Sequence, residues 1–471
     1  MTYRAGKFVK RHAVGVMAVA AFTLLTIGFA GTMAVQSSRL ARERNAAERE
    51  RARAEQVSAF LVKLFKVSDP GEARGKTVTA REILDKGAER VGKELKDQPV
   101  VRATMLHTIG SVYHSLGLYD DALRLLEEAL RIRKDSLGAR HADVAASLGK
   151  LGVVFESKGE FDRAESTQRE ALALRRTLHG DAHPDVAASL NNLANVLYRK
   201  GDRKGAIALH RESLALSREL FGNENPDVVA SLSNLSALLY ADHDLVAAEA
   251  LFREALPLAR KVMGPDHPVV AMILNNLAGL LDETGDSKGA EAHYRESLSL
   301  QRRLVGDEHP SVAMIINNLA TVAHDQRRLA EAESLYRQAL ESRRKHLPAQ
   351  HFDLAGSLLG LADLLCETGK AREGERLARE GLSIRRKNLP DGDWGVAHGQ
   401  GVVGSCLSVL GRPDEAERLL VESHAVLKSQ TGDHSSITRR GLLRLVRLYE
   451  GSAQPSRAAA YRALLSDPAP K

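Results

Sequence analysis

Leu106, Leu148, Leu190, Leu232, Leu274, Ile316 and Leu358 stand 42 residues apart, with no insertion or deletion between them. Sixteen residues after each comes a small residue: Ala122, Ala164, Ala206, Ala248, Ala290, Ala332, then Gly374 and, one period on, Ala416. Gly117, Gly159, Gly201, Gly285, Gly369 and Gly411 form a third ladder, and Gly138, Gly180, Gly222, Gly264 and Gly306 a fourth. Self-similarity at a period of this size marks a stack of identical supersecondary units, each of which buries its apolar face only against its neighbours.

Each unit reads as two helices. In the third, Pro184 opens helix A at a position where its missing N–H costs nothing, and Leu190, Leu193, Ala194 and Leu197 form an i, i+3, i+4, i+7 apolar seam. Gly201 stops that helix and Asp202 is placed to cap helix B, which runs to about Phe221 before Gly222 releases the chain. Eight such units cover residues 103–437 and a partial one covers 439–465. The helix pair with small residues at its crossing resembles the tetratricopeptide repeat. The longer period, the LNNLA segment and the Gly-x-x-His-Pro turn (Gly180 to Pro184, Gly264 to Pro268, Gly306 to Pro310) resemble its kinesin-light-chain type. That resemblance implies an all-α, right-handed α-solenoid of tetratricopeptide helix pairs with helix A lining the concave side. Units one, seven and eight depart most: Pro348 and Pro390 replace the closing glycine, and Gly399 to Gly404 replaces the usual helix A in the register of unit eight.

Poor helix formers recur inside helix A. Asn191 and Asn192 return as Ser233 and Asn234, Asn275 and Asn276, Asn317 and Asn318. At about 100° per residue, Asn192 and Asn195 lie opposite the apolar seam and Asn191 on its flank. The row Asn192, Asn234, Asn276 and Asn318 is expected to contact a ligand. An amide both donates and accepts, so it pairs with the backbone of an extended peptide largely regardless of sequence. The resemblance to kinesin-light-chain grooves implies the same use. The flank row Asn191, Ser233, Asn275 and Asn317 is expected chiefly to tie one repeat to the next, and with Asn195 it completes the candidate peptide-binding set.

Residues 13–35 are 23 residues without a charge, bracketed by Lys10-Arg11-His12 and Arg39. They are long enough for a single transmembrane helix and longer than the apolar core of a cleaved leader. A basic tail (1–12) precedes them, a charged stalk helix (36–68) follows, and a linker with a capping helix (69–102) leads into the repeats (103–465) and a short tail (466–471). Basic residues flank the span almost equally, so charge alone does not orient it. The segment from TYRAGKFVKRH through RLARERNAAERERARAEQVSAFLVKLFKVSDP resembles the juxtamembrane region of bacterial transmembrane serine/threonine kinases with C-terminal repeats. This implies a bacterial inner-membrane protein whose repeats face the periplasm. No glycine-rich phosphate loop with Val-Ala-Ile-Lys, no His-Arg-Asp and no Asp-Phe-Gly occurs, so the kinase chemistry is not encoded here.

The net charge of +7 does not mark a nucleic-acid binder. Residues 1–56 hold ten Lys/Arg against four Asp/Glu, which leaves 57 against 56 elsewhere, and no basic stripe with aromatic platforms is present. Cys366 and Cys406 are expected as buried helix positions, without a disulfide framework or a zinc site. His141, His183, His267, His309 and His351 recur one per inter-repeat turn, which suits capping better than a metal centre with converging ligands. Gly399-x-Gly401-x-x-Gly404 follows no strand, so a dinucleotide role fails its context. The expectation is a membrane-anchored scaffold or sensor that binds a protein or extended peptide, with no catalytic residues, metal or cofactor. Alternatives are the extracytoplasmic half of a split or truncated receptor kinase, and a cytoplasm-facing assembly scaffold.

Overall fold

The computed structural model describes residues 80–433 and 435–465, together with Thr32, Met33 and Gln36. Apart from those three positions, the expected basic tail, membrane span and stalk lie outside the described residues, as does the tail 466–471. Among the described residues, no helix is long and apolar enough to cross a membrane.

Among the described residues, nineteen helices and no strand lie between Ala80 and Leu465. A lone α1 (Ala80–Glu94) precedes the repeats, and α2 (Pro99–Ser115) starts inside the segment read as linker, with Pro99 opening it. Then follow α3 (Tyr119–Leu137), α4 (Ala142–Lys158), α5 (Phe161–His179), α6 (Pro184–Arg199), α7 (Arg203–Phe221), α8 (Pro226–Ala241), α9 (Leu245–Met263) and α10 (Pro268–Glu283). The series continues with α11 (Ser287–Val305), α12 (Pro310–Asp325), α13 (Leu329–His346), α14 (Phe352–Glu367), α15 (Ala371–Asn388), α16 (Trp394–Val409), α17 (Pro413–Thr431), α18 (Ser436–Gly451) and α19 (Pro455–Leu465). Even-numbered helices are the A helices and odd-numbered ones from α3 the B helices. The chain divides into two compact units, the first ending at Gly201 and the second starting at Asp202.

The recurring turns explain the boundaries. His141, His183, Asn225, His267, His309, His351 and Asp393 each sit just before an A helix in extended backbone, and each side chain accepts the N–H two residues on. The five histidines are therefore N-caps, satisfying a donor that the helix start leaves orphaned. Between A and B helices the chain takes a left-handed residue every 42 positions. Glycine fills it at 117, 159, 201, 285, 369 and 411, with φ between 75° and 92°. Where glycine is absent, His243, Arg327 and Ala453 take the same conformation, at φ 61°, 63° and 53°. The gaps in the glycine ladder are thus substitutions at an unchanged turn.

In the first unit, Leu84 and Val91 of α1 join Met105, Leu106, Ile109, Tyr113, Leu125 and Leu126 in one buried cluster, so α1 caps the first repeat. The second unit holds a longer core running from Leu214 and Val228 through Phe252, Leu274 and Tyr294 to Leu319. Its continuation through Tyr336, Leu358, Leu361, Leu365 and Leu382 reaches Leu445 and Tyr449 of α18.

Cys366 and Cys406 correct the sequence expectation. Both are buried as foreseen, yet they are bonded to each other, joining α14 to α16 with a Cα–Cα distance of 5.0 Å. A separation of forty residues suggests no framework in a linear reading. In a 42-residue repeat it places two residues at nearly the same height on neighbouring A helices.

Candidate peptide-binding face

The asparagines belong to a stripe with i, i+4, i+7, i+11 spacing, which keeps four side chains on one helix face. In the second unit this stripe is Ala230, Asn234, Ala237 and Ala241 on α8, Met272, Asn276, Gly279 and Glu283 on α10, and Met314, Asn318, Thr321 and Asp325 on α12. Met272 and Met314 remain 46% and 40% exposed, unusual for methionines within a repeat stack. On α6 of the first unit, Asn191 and Asn192 are half-buried and Asn195 is exposed.

The rows divide their work unevenly. In the flank row, Asn275 accepts from Nδ2 of Asn318 at 3.2 Å, and Asn317 accepts from the Ser357 hydroxyl at 2.9 Å. Both bonds join successive A helices. Asn318 contributes an amide hydrogen to this tie although it stands in the outer row, and Asn275 itself donates to Asn276 at 3.2 Å. Ser233 is buried and donates to the Val229 carbonyl at 2.8 Å, so it serves its own helix. Asn234 and Asn276 are half-buried on the stripe.

Further along the second unit, the stripe carries charge. Arg440, Arg444 and Arg447 of α18 occupy its i, i+4 and i+7 positions and reach back across the inner face to Asp325 of α12 and to Asp363 and Glu367 of α14. Arg444, only 3% exposed, grips Asp363 with two bonds of 3.0 and 2.8 Å. Arg447 meets Glu367 at 3.0 Å, His324 meets the same carboxylate at 2.8 Å, and Arg327 pairs with it as well. These groups enclose a cavity of about 120 Å³ with Leu443 on its wall. Burial pushes the Asp363 carboxyl up, but the Arg444 guanidinium outweighs it and holds the group well below the usual range. The hydrogen bond from His324, with Arg327 and Arg447, brings Glu367 down to about 2 despite burial. Asp282, at the C-terminal end of α10, goes the other way: burial and the nearby Asp325 charge raise it to about 6.

Sequence reasoning missed this network, although its signal was present: three arginines on the stripe of the last unit, in register with the asparagines. It also placed histidines one per turn, and the turn before α6 is an exception. There His179, His183 and Asp185 bring donor atoms within 4.8 Å of one another. The two imidazoles stack at 4.0 Å, and Nδ1 of His183 already accepts the Asp185 N–H at 3.1 Å. The Gly399–Gly404 motif, expected to replace helix A of unit eight, instead lies inside a regular α16, where its glycines are buried as packing. A methyl on Gly404 would lie 2.9 Å from Leu420, and one on Gly399 3.0 Å from Leu382.

Stacked helix pairs that display one polar stripe along successive A helices define a repeat-built scaffold. The chain belongs to the tetratricopeptide repeat family, which it matches over residues 101–177, 157–219, 185–261, 227–303 and 285–345, together just over half its length. Among solved structures it is similar to the apo form of RapI, at 14% identity over 77% of this chain and 96% of that one, with a TM-score of 0.56. It is similar also to the apo form of the quorum sensor NprR from B. thuringiensis, at 13% identity over 76% and 98%, with a TM-score of 0.51. A third likeness is to BtubC (BKLC) from P. vanneervenii, at 22% identity over 49% and 94%, with a TM-score of 0.43. No curated protein matches the chain.

Proposed function

We propose that this protein is a membrane-anchored scaffold or sensor that captures a protein or extended peptide on its A-helix stripe and carries out no catalysis itself. The observation that carries this reading is the stripe: amides on successive A helices, flanked by exposed Met272 and Met314. Side chains of that kind recognise a peptide backbone and its apolar side chains. NprR, of similar fold, is a quorum sensor. The anchor is residues 13–35, and the repeats face the periplasm. The buried Cys366–Cys406 disulfide supports that placement, since such bonds persist in oxidising compartments.

The test uses the full chain in detergent as bait. Asn192, Asn234, Asn276 and Asn318 changed together to Ala should abolish capture of the specific partner while the helical melt is nearly unchanged. Undiminished capture by that variant would remove the stripe from the binding site. A reporter fused after Lys471 should be active only outside the cytoplasm; cytoplasmic activity overturns the placement.

A further inference from the structure

The stripe is chemically graded across its width, and the grading specifies more than a backbone. One edge on α10 and α12 is apolar, with Met272 and Met314; the middle is amide, with Asn276 and Asn318; the other edge is acidic. Glu283, Asp325 and Glu367 hold the same register position on three successive A helices, 42 residues apart, with Asp282 beside the first. At the corresponding position α8 has Ala241 and α16 has Val409, so the acidic edge is confined to three repeats.

Two of the three acids already show what they accept. Asp325 is met by the guanidinium of Arg440, and Glu367 by that of Arg447. Both arginines come from α18, which lies against this edge at its C-terminal end. Among the described residues, Glu283 pairs with no arginine. Its neighbours are Tyr240 and His243, the latter 3.8 Å away. The acidic edge thus continues one helix beyond the arginine pairs, where Arg440 still lies near enough to Asp282 to favour its carboxylate against burial and the Asp325 charge.

We propose that the ligand of this face is an extended peptide carrying a basic side chain, arginine or lysine, that pairs with Glu283 and Asp282, and an apolar side chain that rests on Met272 and Met314. Side chains of an extended strand alternate in direction. One backbone lying on the amide row therefore sends alternate residues to the apolar and acidic edges. Arg440 on Asp325 is the chain's own instance of the contact that the ligand repeats one helix earlier.

This inference rests on the peptide-capture reading, and the experiment separates the two. The full chain is titrated with a fluorescein-labelled nonapeptide of alternating Leu and Arg, and with counterparts in which Arg becomes Glu or Leu becomes Ser, each followed by anisotropy. The Arg/Leu peptide should bind at least roughly tenfold more tightly than either counterpart. Asp282→Asn with Glu283→Gln should erase the preference over the Glu peptide, and Met272→Ser with Met314→Ser the preference over the Ser peptide. Circular dichroism confirms that each variant is folded, and the exposed methionine pair provides a test even if substitution of the half-buried acid pair disturbs α10. Peptides bound equally well whatever their charge, with binding lost in Asn234→Ala/Asn276→Ala/Asn318→Ala, would overturn the basic-ligand inference and leave the capture reading standing. No binding by any of the three peptides would overturn it as well. Tighter binding of the Glu peptide would reverse its sign.

Discussion

Asn317 accepts a 2.9 Å hydrogen bond from the Ser357 hydroxyl, forty residues later in the chain, and Ser357 in turn accepts from Nη1 of Arg343 at 2.7 Å. The relay joins α12, α13 and α14, so three consecutive helices share one polar contact. Its arginine–serine half recurs as Arg133 with Ser147 and Arg175 with Ser189, both at 2.6 Å. The arginine also donates to a backbone carbonyl near the start of the next A helix: Asp143, Asp185 or Asp353. This device fixes the first, second and sixth repeats against their successors, and in the sixth an asparagine joins it.

Removing an end of that relay should weaken the stack without touching its apolar core. Asn317→Ala is expected to cost about 1–2 kcal/mol in urea denaturation, because the buried Ser357 hydroxyl loses its acceptor. Ser357→Ala should cost a similar amount, and the double mutant about 0.5 kcal/mol or more less than the sum. Asn234→Ala, on the stripe, should stay within about 0.5 kcal/mol of the parent. Equal costs for Asn317 and Asn234 would mean that the two rows are not distinguished in stability.

His243 sits where most repeats have glycine, in left-handed backbone at φ 61°. A residue with a Cβ pays about 1–2 kcal/mol there. His243→Gly is therefore expected to raise stability by about 1 kcal/mol, measured as an upward shift of the urea midpoint at an unchanged slope. Its pairing with Glu283 is long and half-exposed and offsets little of this. A downward shift would mean that the imidazole contact outweighs the strain.

How much was legible depended on the distance over which a cause acts. The repeat, its helix pairs and the histidine caps were readable because their causes lie within one turn or one period. The helix that runs through Gly399 to Gly404 was not, because close packing against Leu382 and Leu420 overrides poor helix propensity there. The skipped glycines at 243 and 327 were visible as gaps, but the conformation that persists through them was not. The disulfide and the arginine network were not legible because they join different repeats. Cys366 meets Cys406 one repeat on, and Arg440 meets Asp325 three repeats back, 115 residues away. The cysteine spacing is close to one period and gains its meaning only when neighbouring A helices are laid side by side. The arginine contact depends on how several repeats stack, which a 42-residue pattern does not encode. The peptide role of Asn192, Asn234 and Asn276 stays a proposal, since a stripe displays chemistry and a ligand must answer it.

Cys366 and Cys406 close a loop that spans the B helix α15, so their bond should stabilise this part of the stack. Treatment with reductant is expected to lower the melting temperature, with a loss of about 2–4 kcal/mol relative to the oxidised chain. Protein denatured without reductant should take up no iodoacetamide by intact mass, and two equivalents after reduction. Two labels before reduction would show the thiols to be free in the cell that made them.

The Arg444–Asp363 pair and Asp282 respond to pH in opposite senses, and this separates them. Asp363 is held below the ordinary aspartate value of about 3.9, so its stabilising contribution is fully present above that pH and is lost only as pH falls through the lower folded value. Glu367, at about 2 when folded, behaves the same way. Asp282, raised to about 6, favours its protonated form: its contribution is fully present below about pH 3.9 and is lost as pH rises through about 6. Asp282→Asn should therefore raise the melting temperature at pH 7.5 and leave it unchanged near pH 3.5. Arg444→Met should do the reverse in sign at pH 7.5, costing about 3–5 kcal/mol, because it leaves the Asp363 carboxylate buried without its partner. Adding Asp363→Leu to Arg444→Met should recover most of that loss, since an apolar pair of similar volume needs no compensating charge. If the double variant is as unstable as Arg444→Met alone, the pair holds α18 against α14 by geometry as well as by charge, and the closure of the inner face depends on that one bidentate grip.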